Sequence, residues 1–240
     1  MFTYGVVPAI RSCSFVILEH YLEKYDMALL VNEIFFSLQG ESLNMGRPCV
    51  FVRLTGCNLR CTYCDTTYAY EEGEPRSIPE ILQEVERFDC SLIEVTGGEP
   101  LLQPETPCLI DSLLDTGHEV MLETNGSFDV LALDPSCVKI IDVKCPSSGE
   151  SSKNYYANFS RLTSRDQVKF VMGDQGDYDF AKKFITALPR EFPRHHILFT
   201  PISGVLPLET LAEWILRDYL PVRLHIQLHK YIWPGVDKGR

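Results

Sequence analysis

From residue 27 onward, short apolar runs rich in β-branched and aromatic residues alternate with stretches whose apolar positions recur at helical spacing. "CVFVRLTG" (49–56) reads as a buried strand and "SIPEILQEVERF" (77–88) as a helix. Ser77 caps that helix, Glu80 completes a capping box, and Pro79 is tolerated in the first turn. The pattern then predicts a strand in "SLIEVTGG" (91–98), a helix over 105–116, and strands in "HEVMLETNG" (118–126) and "VKIIDVKCP" (138–146). Residues 166–173 form a further strand, followed by the helix "YDFAKKFITAL" (178–188), the strand "HHILFTP" (195–201) and the helix "PLETLAEWILRDY" (207–219). "VRLHIQLHK" (222–230) closes the series as a strand in which Val222, Leu224, Ile226 and Leu228 alternate with Arg223, His225, Gln227 and His229.

Strand–helix alternation predicts a parallel sheet with helices outside it, and about seven strands make that sheet either doubly wound or an incomplete (β/α) barrel. The candidate functional stretches keep one register. A cysteine loop follows the first strand, "TGGEP" the second, "ETNG" the third, "KCPSS" the fourth and "TPISG" the sixth. Working residues at the C-terminal ends of strands are the habit of barrels, so the expected fold is α/β, of the incomplete (β/α) barrel type. The polar face of the last strand then points into the barrel mouth, which makes Gln227 and His229 substrate-binding candidates. No repeat or low-complexity linker interrupts residues 27–240, which read as one domain. Residues 1–26 form an N-terminal extension of a different character, without the pattern of a signal peptide; either Met27 is the start or the extension is a dispensable arm.

Composition narrows the partners. The chain has 240 residues and a formal charge of −11, which on average repels phosphate backbones and argues against nucleic acid. No apolar run approaches the length of a membrane span, so no membrane partner is expected. Nine cysteines is an odd count, and six of them (Cys13, Cys49, Cys90, Cys108, Cys137 and Cys145) lack metal-ligand spacing. They read as small buried hydrophobes, and free thiols point to a reducing compartment, the cytoplasm.

The other three, Cys57, Cys61 and Cys64, have the spacing C-x3-C-x2-C. Such a loop can wrap three corners of an iron–sulfur cubane. The alternative, zinc, needs a fourth ligand, and the nearest histidine in sequence, His118, has no spacing that commends it.

This loop after the first strand, with the aromatic Tyr63 before its last cysteine, resembles the radical S-adenosylmethionine (SAM) superfamily. The resemblance implies that three cysteines hold a 4Fe–4S cluster and that the fourth iron is left to chelate SAM. "TGGEP" (96–100) looks like the superfamily's second motif, where glycine lets the backbone approach a ligand closely. "FSLQGES" (36–42), "GRPCVFVRLTGCNLRC" (46–61), "CDTTYA" (64–69) and "HIQLHKYIW" (225–233) are together similar to the 7-carboxy-7-deazaguanine synthases, over most of the chain.

That family converts 6-carboxy-5,6,7,8-tetrahydropterin to 7-carboxy-7-deazaguanine with loss of ammonia, on the way to deazapurines such as queuosine, using SAM and Mg²⁺. Carried over by position, Arg53 holds the substrate carboxylate, a task suited to a bidentate guanidinium. Leu38, Gln39, Gly40, Glu41 and Thr96 join Gln227 and His229 around the pterin, and Glu123 is a catalytic carboxylate. Thr66 is implied as an Mg²⁺ ligand, in keeping with the few protein ligands that ion uses. Tyr63, Asp65, Gly97, Gly98 and Glu99 are expected beside SAM. So are Lys144, Cys145, Pro146, Thr200 and Pro201 after later strands, where the family's pattern is harder to match. A low-potential flavodoxin or ferredoxin as reductant and a homodimer are implied as well. Two rivals share parts of the pattern. A glycyl-radical activase would need neither Arg53 nor "SLQGE", and a cluster-bearing electron carrier ligates its cluster fully with protein.

Overall fold

The computed structural model describes residues 28–131, 133–236, 238 and 239; the extension 1–26, the start at Met27 and Cys13 lie outside the described residues. Strand β1 (Ala28–Leu38) runs antiparallel to β2 (Pro48–Leu54), and a short β3 (Glu74–Ser77) pairs antiparallel with the other side of β1. Beyond β2 every pairing is parallel, through β4 (Leu92–Gly97), β5 (Glu119–Thr124), β6 (Val138–Val143), β7 (Gln167–Met172), β8 (Ile197–Pro201) and β9 (Arg223–Leu224). The order is β3-β1-β2-β4-β5-β6-β7-β8-β9, an open sheet of the incomplete-barrel kind.

Helices α1 (Ile78–Val85), α2 (Thr106–Asp115), α3 (Gln175–Ile185) and α4 (Leu208–Arg217) cover its outer face, and a short α5 (Leu228–Ile232) follows β9. Helix α1 starts as expected: the backbone N–H of Ser77 donates to the Glu80 carboxylate at 2.8 Å, with Pro79 in the first turn. Asp174 begins α3 three residues before the predicted helix by accepting the Asp177 N–H at 3.0 Å.

Strands β2 and β4–β7 present alternate residues to the two faces. Val50, Val52, Leu54, Ile93, Val95, Val120, Leu122, Ile141, Val143, Val168 and Phe170 face the helices and pack against Ile81, Leu109, Ile110 and Leu113. Full burial of one such side chain contributes about 1.5–3 kcal/mol. On the other face Cys49, Phe51, Leu92, Met121 and Ile140 make a second apolar layer, with Phe35 stacked on Phe51 at 4.8 Å. That layer floors the barrel. Two residues further along the same face come Arg53, Glu94, Glu123 and Asp142, and that step turns the interior from apolar to charged.

The loop after β1 is tied to the starts of β5 and β7: Arg47 pairs with Glu119 at 2.9 Å and Leu43 N–H donates to Gln167 Oε1 at 2.9 Å.

Three expectations change. The sheet has nine strands because β1 and β3 escaped notice: β1 lacks a clean buried alternation, and β3 is a four-residue edge, "EPRS", with no apolar signal. The last strand stops at Leu224. His225 N–H still bonds Phe199 O at 2.8 Å, but the chain then turns inward so that Leu228 N–H can reach Gly40 O at 2.8 Å. Of the scattered cysteines in the described residues, Cys49, Cys137 and Cys145 are buried, whereas Cys90 and Cys108 are only half-buried. Among the described residues no helix is long and apolar enough to cross a membrane.

Candidate active site

At the C-terminal ends of the parallel strands lies a cavity of about 540 Å³, lined by residues from every part of the chain from Phe35 to Val236. One wall is the cysteine loop. Cys57, Cys61 and Cys64 are unpaired, half-buried and all in the lining. The loop is held from outside: Arg60 N–H donates to Glu150 at 2.8 Å, the Arg60 guanidinium to Cys57 O at 2.8 Å, and the Thr62 hydroxyl to Ser147 O at 2.8 Å. Burial raises the Cys57 and Cys61 thiols above the usual range.

The glycine motif packs directly beneath this loop. A Cβ on Gly98 would fall 2.4 Å from Gly56 O and 2.7 Å from Cys57 Cβ, and one on Gly97 2.2 Å from Leu54 O. Glu99 N–H donates to Gly56 O at 2.8 Å, which stitches the two loops together. The Glu99 side chain is fully buried away from the cavity lining. It accepts from Leu101 N–H at 3.0 Å, Asn125 N–H at 2.7 Å and the Thr124 hydroxyl at 2.8 Å, and burial nonetheless pushes it up to about 7. It is a strut between motifs.

The opposite wall suits a polar substrate with a carboxylate. Arg53 donates from Nε to Glu33 at 2.8 Å, with the Phe35 and Tyr68 rings at 5.7 and 5.8 Å. Among the described residues no hydrogen bond uses its two terminal nitrogens. Glu41 receives Lys169 Nζ at 2.9 Å and Gln227 Nε2 at 2.9 Å. Burial alone would raise its carboxyl, but Lys169 and Gln227 carry it well below the carboxylate range. Glu123 also pairs with Lys169. Gln39 is buried, its amide spent on Glu94 and on the Glu41 N–H at 2.8 Å. Burial, then the nearby Glu123 and Glu41, push the Glu94 carboxyl well above the usual carboxylate range.

Gly40 has no left-handed backbone; a Cβ there would sit 2.2 Å from the His229 ring, so the glycine makes room for His229 rather than for a turn.

Most expected site residues meet in the lining: Leu38, Gln39, Gly40, Glu41, Arg53, Tyr63, Asp65, Thr66, Thr96, Gly97, Gly98, Glu123, Lys144, Gln227 and His229. Thr66 makes no capping bond; its hydroxyl donates to Asp65 at 3.1 Å. Lys144 Nζ is buried against Asp142 at 2.7 Å.

Five residues are not brought there. Besides Glu99, Cys145 is buried in the hydrophobic core, Pro146 is exposed, Thr200 is buried against His225 at 3.3 Å, and Pro201 lines a neighbouring groove. Ile202 and Ser203, the next two residues after β8, take the lining position instead. Sequence reasoning missed Glu94, Asn125, Asp142 and Lys169. The signal was available: each charged one sits at an interior position of a period-2 strand, in register with Phe51, Met121 and Ile140.

The wall fits an iron–sulfur cluster with an organic partner beside it. Among the described residues no three His, Cys, Asp or Glu side chains converge on a single ion, and His118 is occupied by Thr116 at 2.9 Å at the far end of β5. Close to the thiols, the Tyr63 hydroxyl and Asp142 Oδ1 are buried without a hydrogen-bond partner. Each such orphan costs about 1–3 kcal/mol unless a ligand supplies the partner. The Gly98 approach leaves backbone, not side chain, facing that space.

Comparison with known proteins agrees. The description "Radical SAM superfamily" matches residues 51–143. A 7-carboxy-7-deazaguanine synthase of Chlorobaculum tepidum is 48% identical over 214 residues, spanning 88% of this chain and 97% of its own. The protein of the same name from Koribacter versatilis is 40% identical over 223 residues, spanning 87% and 99%. Among solved structures, QueE from Escherichia coli superposes with a TM-score of 0.69 at 24% identity over 88% of this chain and 99% of its own, a likeness of fold.

Proposed function

The chain belongs to the 7-carboxy-7-deazaguanine synthase family of radical SAM enzymes, and from that premise we propose how its residues turn 6-carboxy-5,6,7,8-tetrahydropterin into 7-carboxy-7-deazaguanine with release of ammonia. A 4Fe–4S cluster and SAM, when bound, supply the 5′-deoxyadenosyl radical that takes hydrogen from the substrate.

Everything else is the work of this chain. Cys57, Cys61 and Cys64 hold the cluster on three corners. Gly97 and Gly98 offer backbone to the methionine end of SAM. Tyr63, Asp65 and Lys144 flank it with side chains, and Lys144 is the cation for its carboxylate. Arg53, with Nε fixed by Glu33, turns its two free nitrogens to the substrate carboxylate. Glu41 accepts from the pterin's amino edge, Leu38, Gly40, Thr96 and His229 enclose the ring, and Gln39 and Gln227 hold Glu41 in place. Glu123 handles protons at the reacting carbon. The Thr66 hydroxyl is available to Mg²⁺ together with substrate oxygens.

The observation that carries this reading is a single cavity lined at once by three free thiols and by Arg53, Glu41 and Glu123. Neither rival has comparable support: an electron carrier has no use for such a cavity, and the activase activity is not that of relatives matched over nearly their whole length. The enzyme needs a small-molecule substrate and a reductant; a low-potential flavodoxin or ferredoxin, a homodimer and a cytoplasmic setting complete the proposal. Eight described cysteines, all free, suit a reducing compartment.

The test is mass spectrometry of an anaerobic reaction of the cluster-reconstituted protein with SAM, Mg²⁺, dithionite and the pterin acid. A deazaguanine carboxylate in wild type, absent in Cys61→Ala and weakened in Arg53→Ala, is the expected result. 5′-Deoxyadenosine without that product would discard the substrate.

A further inference from the structure

Lys169 projects from the middle of β7 into the barrel, its side chain only 6% exposed. Its ammonium lies 2.9 Å from Glu41 Oε2, bonds Glu123 Oε1 and is 4.0 Å from Asp142 Oδ2. Asp142 has its own cation, Lys144, at 2.7 Å, and Glu94 is bonded by the Gln39 amide. One ammonium therefore serves two carboxylates, one on the loop after β1 and one at the end of β5. All three groups line the cavity beside Arg53.

A buried ion pair is poor value as mere scaffolding, because apolar side chains of the same volume stabilise at least as well. Here it does something apolar residues could not. Burial would neutralise Glu41, and Lys169 is the cation that opposes this. Burial would likewise discharge Lys169, and Glu123 and Glu41 keep it charged. Lys169 and Glu41 hold each other ionised, and Glu123 fixes the ammonium in place from the other side.

We infer that Lys169 is a positioning residue for substrate: it holds Glu41 at a set place on the cavity wall as an acceptor for N–H donors of the pterin ring, and Glu123 at its place beside the reacting carbon. This rests on the substrate reading above. The groups that face Lys169 from neighbouring elements are Glu41, Glu94, Glu123, Asp142, Lys144 and His225, with Arg53 beyond them. Without the lysine, the carboxylates among them face one another at close range. Burial, no longer opposed by the ammonium, then favours a proton on Glu41.

The experiment uses cluster-reconstituted enzyme with SAM and Mg²⁺ but no reductant, so that the pterin acid binds without turning over. Its Kd is measured by anaerobic ultrafiltration from about pH 8 to about pH 6, and kcat and KM are then taken with reductant. In wild type, Kd should hardly vary across that range. In Lys169→Met it should rise about 100-fold at neutral pH and further as pH falls, with KM rising far more than kcat and iron content unchanged. Lys169→Arg should recover most of the affinity.

Lys169→Met/Glu123→Gln keeps the inference open to refutation if the single variant fails to fold. It removes both partners of one pair, and it should fold, bind weakly and lose part of the pH dependence. Wild-type Kd and a flat profile in the Lys169 variants, with only thermal stability reduced, would make Lys169 a strut and overturn the inference. A wild type that cleaves SAM yet does not bind the pterin acid would overturn the substrate reading itself, and this one with it.

Discussion

At the scale of single residues, the partners of a side chain decide what it can do. Arg53 could be proposed as a carboxylate binder from its place near the end of a strand, but its orienting partner could not, because Glu33 lies on the unread β1. Glu99 is the opposite case. Its motif was plain, and the expectation that it sits beside SAM arose from that motif, whereas the folded chain spends its carboxylate on two loops. Its elevated value, about 7 against an ordinary 4.5, makes a prediction. The folded state holds a proton there that the unfolded state releases, so this group's contribution to stability falls as pH rises from about 4.5 to 7 and is level above that. The whole effect is about 3 kcal/mol. Glu99→Gln should remove that slope while costing about 1–2 kcal/mol for a lost acceptor. Urea unfolding of the cluster-free chain at pH 5 and pH 8 checks it: the wild-type advantage should be larger at pH 5.

At the scale of elements, local chemistry was legible wherever the chain carries its own punctuation. The capping box before α1 and the cysteine loop after β2 formed where expected, since each depends on residues a few positions apart. The last strand failed for the complementary reason. Its alternation was real, and His225 does point inward, but the competing hydrogen bond to Gly40 O comes from a loop nearly the whole chain away. The two glycines of "TGGEP" show how an element's fit becomes chemistry. Gly98→Ala would drive a methyl into Gly56 O and the Cys57 Cβ, backbone and loop that cannot both yield. The variant is expected to fold and to lose most of its iron after reconstitution, read as iron and sulfide per chain; iron at the wild-type level would sink the argument.

At the scale of the whole molecule, an open sheet must still shield its mouth from water. The described C-terminal segment does this. Gln227 reaches Glu41, Lys230 pairs with Asp65 at 2.6 Å, and Trp233, Pro234, Gly235 and Val236 join the lining. Asp65 sits between Cys64 and Thr66, so the strap ties the Glu41 side of the cavity to the cysteine loop. Burial would raise the Asp65 carboxyl, and Lys230 holds it below the ordinary range. Lys230→Ala should loosen this closure. KM for the pterin acid is expected to rise by about tenfold, with more 5′-deoxyadenosine formed per product because water and reductant reach an ill-shielded site. Chromatography of both products in one reaction measures the ratio, and an unchanged ratio would remove the strap from the mechanism.

By itself the sequence determined the order of most elements, the parallel architecture, the cysteine loop with its glycine partner, and through these the class of chemistry. Those features are written in spacings of a few residues, where helix and strand periods and ligand reach operate directly. Only the tertiary structure decided which charged side chains face one another. Lys169 and Glu41 are 128 positions apart, and Gln227 and Glu41 are 186 apart. A charged residue at an interior strand position looks the same in sequence whether it meets a partner, a ligand or water. Barrel curvature brings the loop after β1, the end of β5 and the middle of β7 to one cavity, where four carboxylates and two lysines face one another away from water.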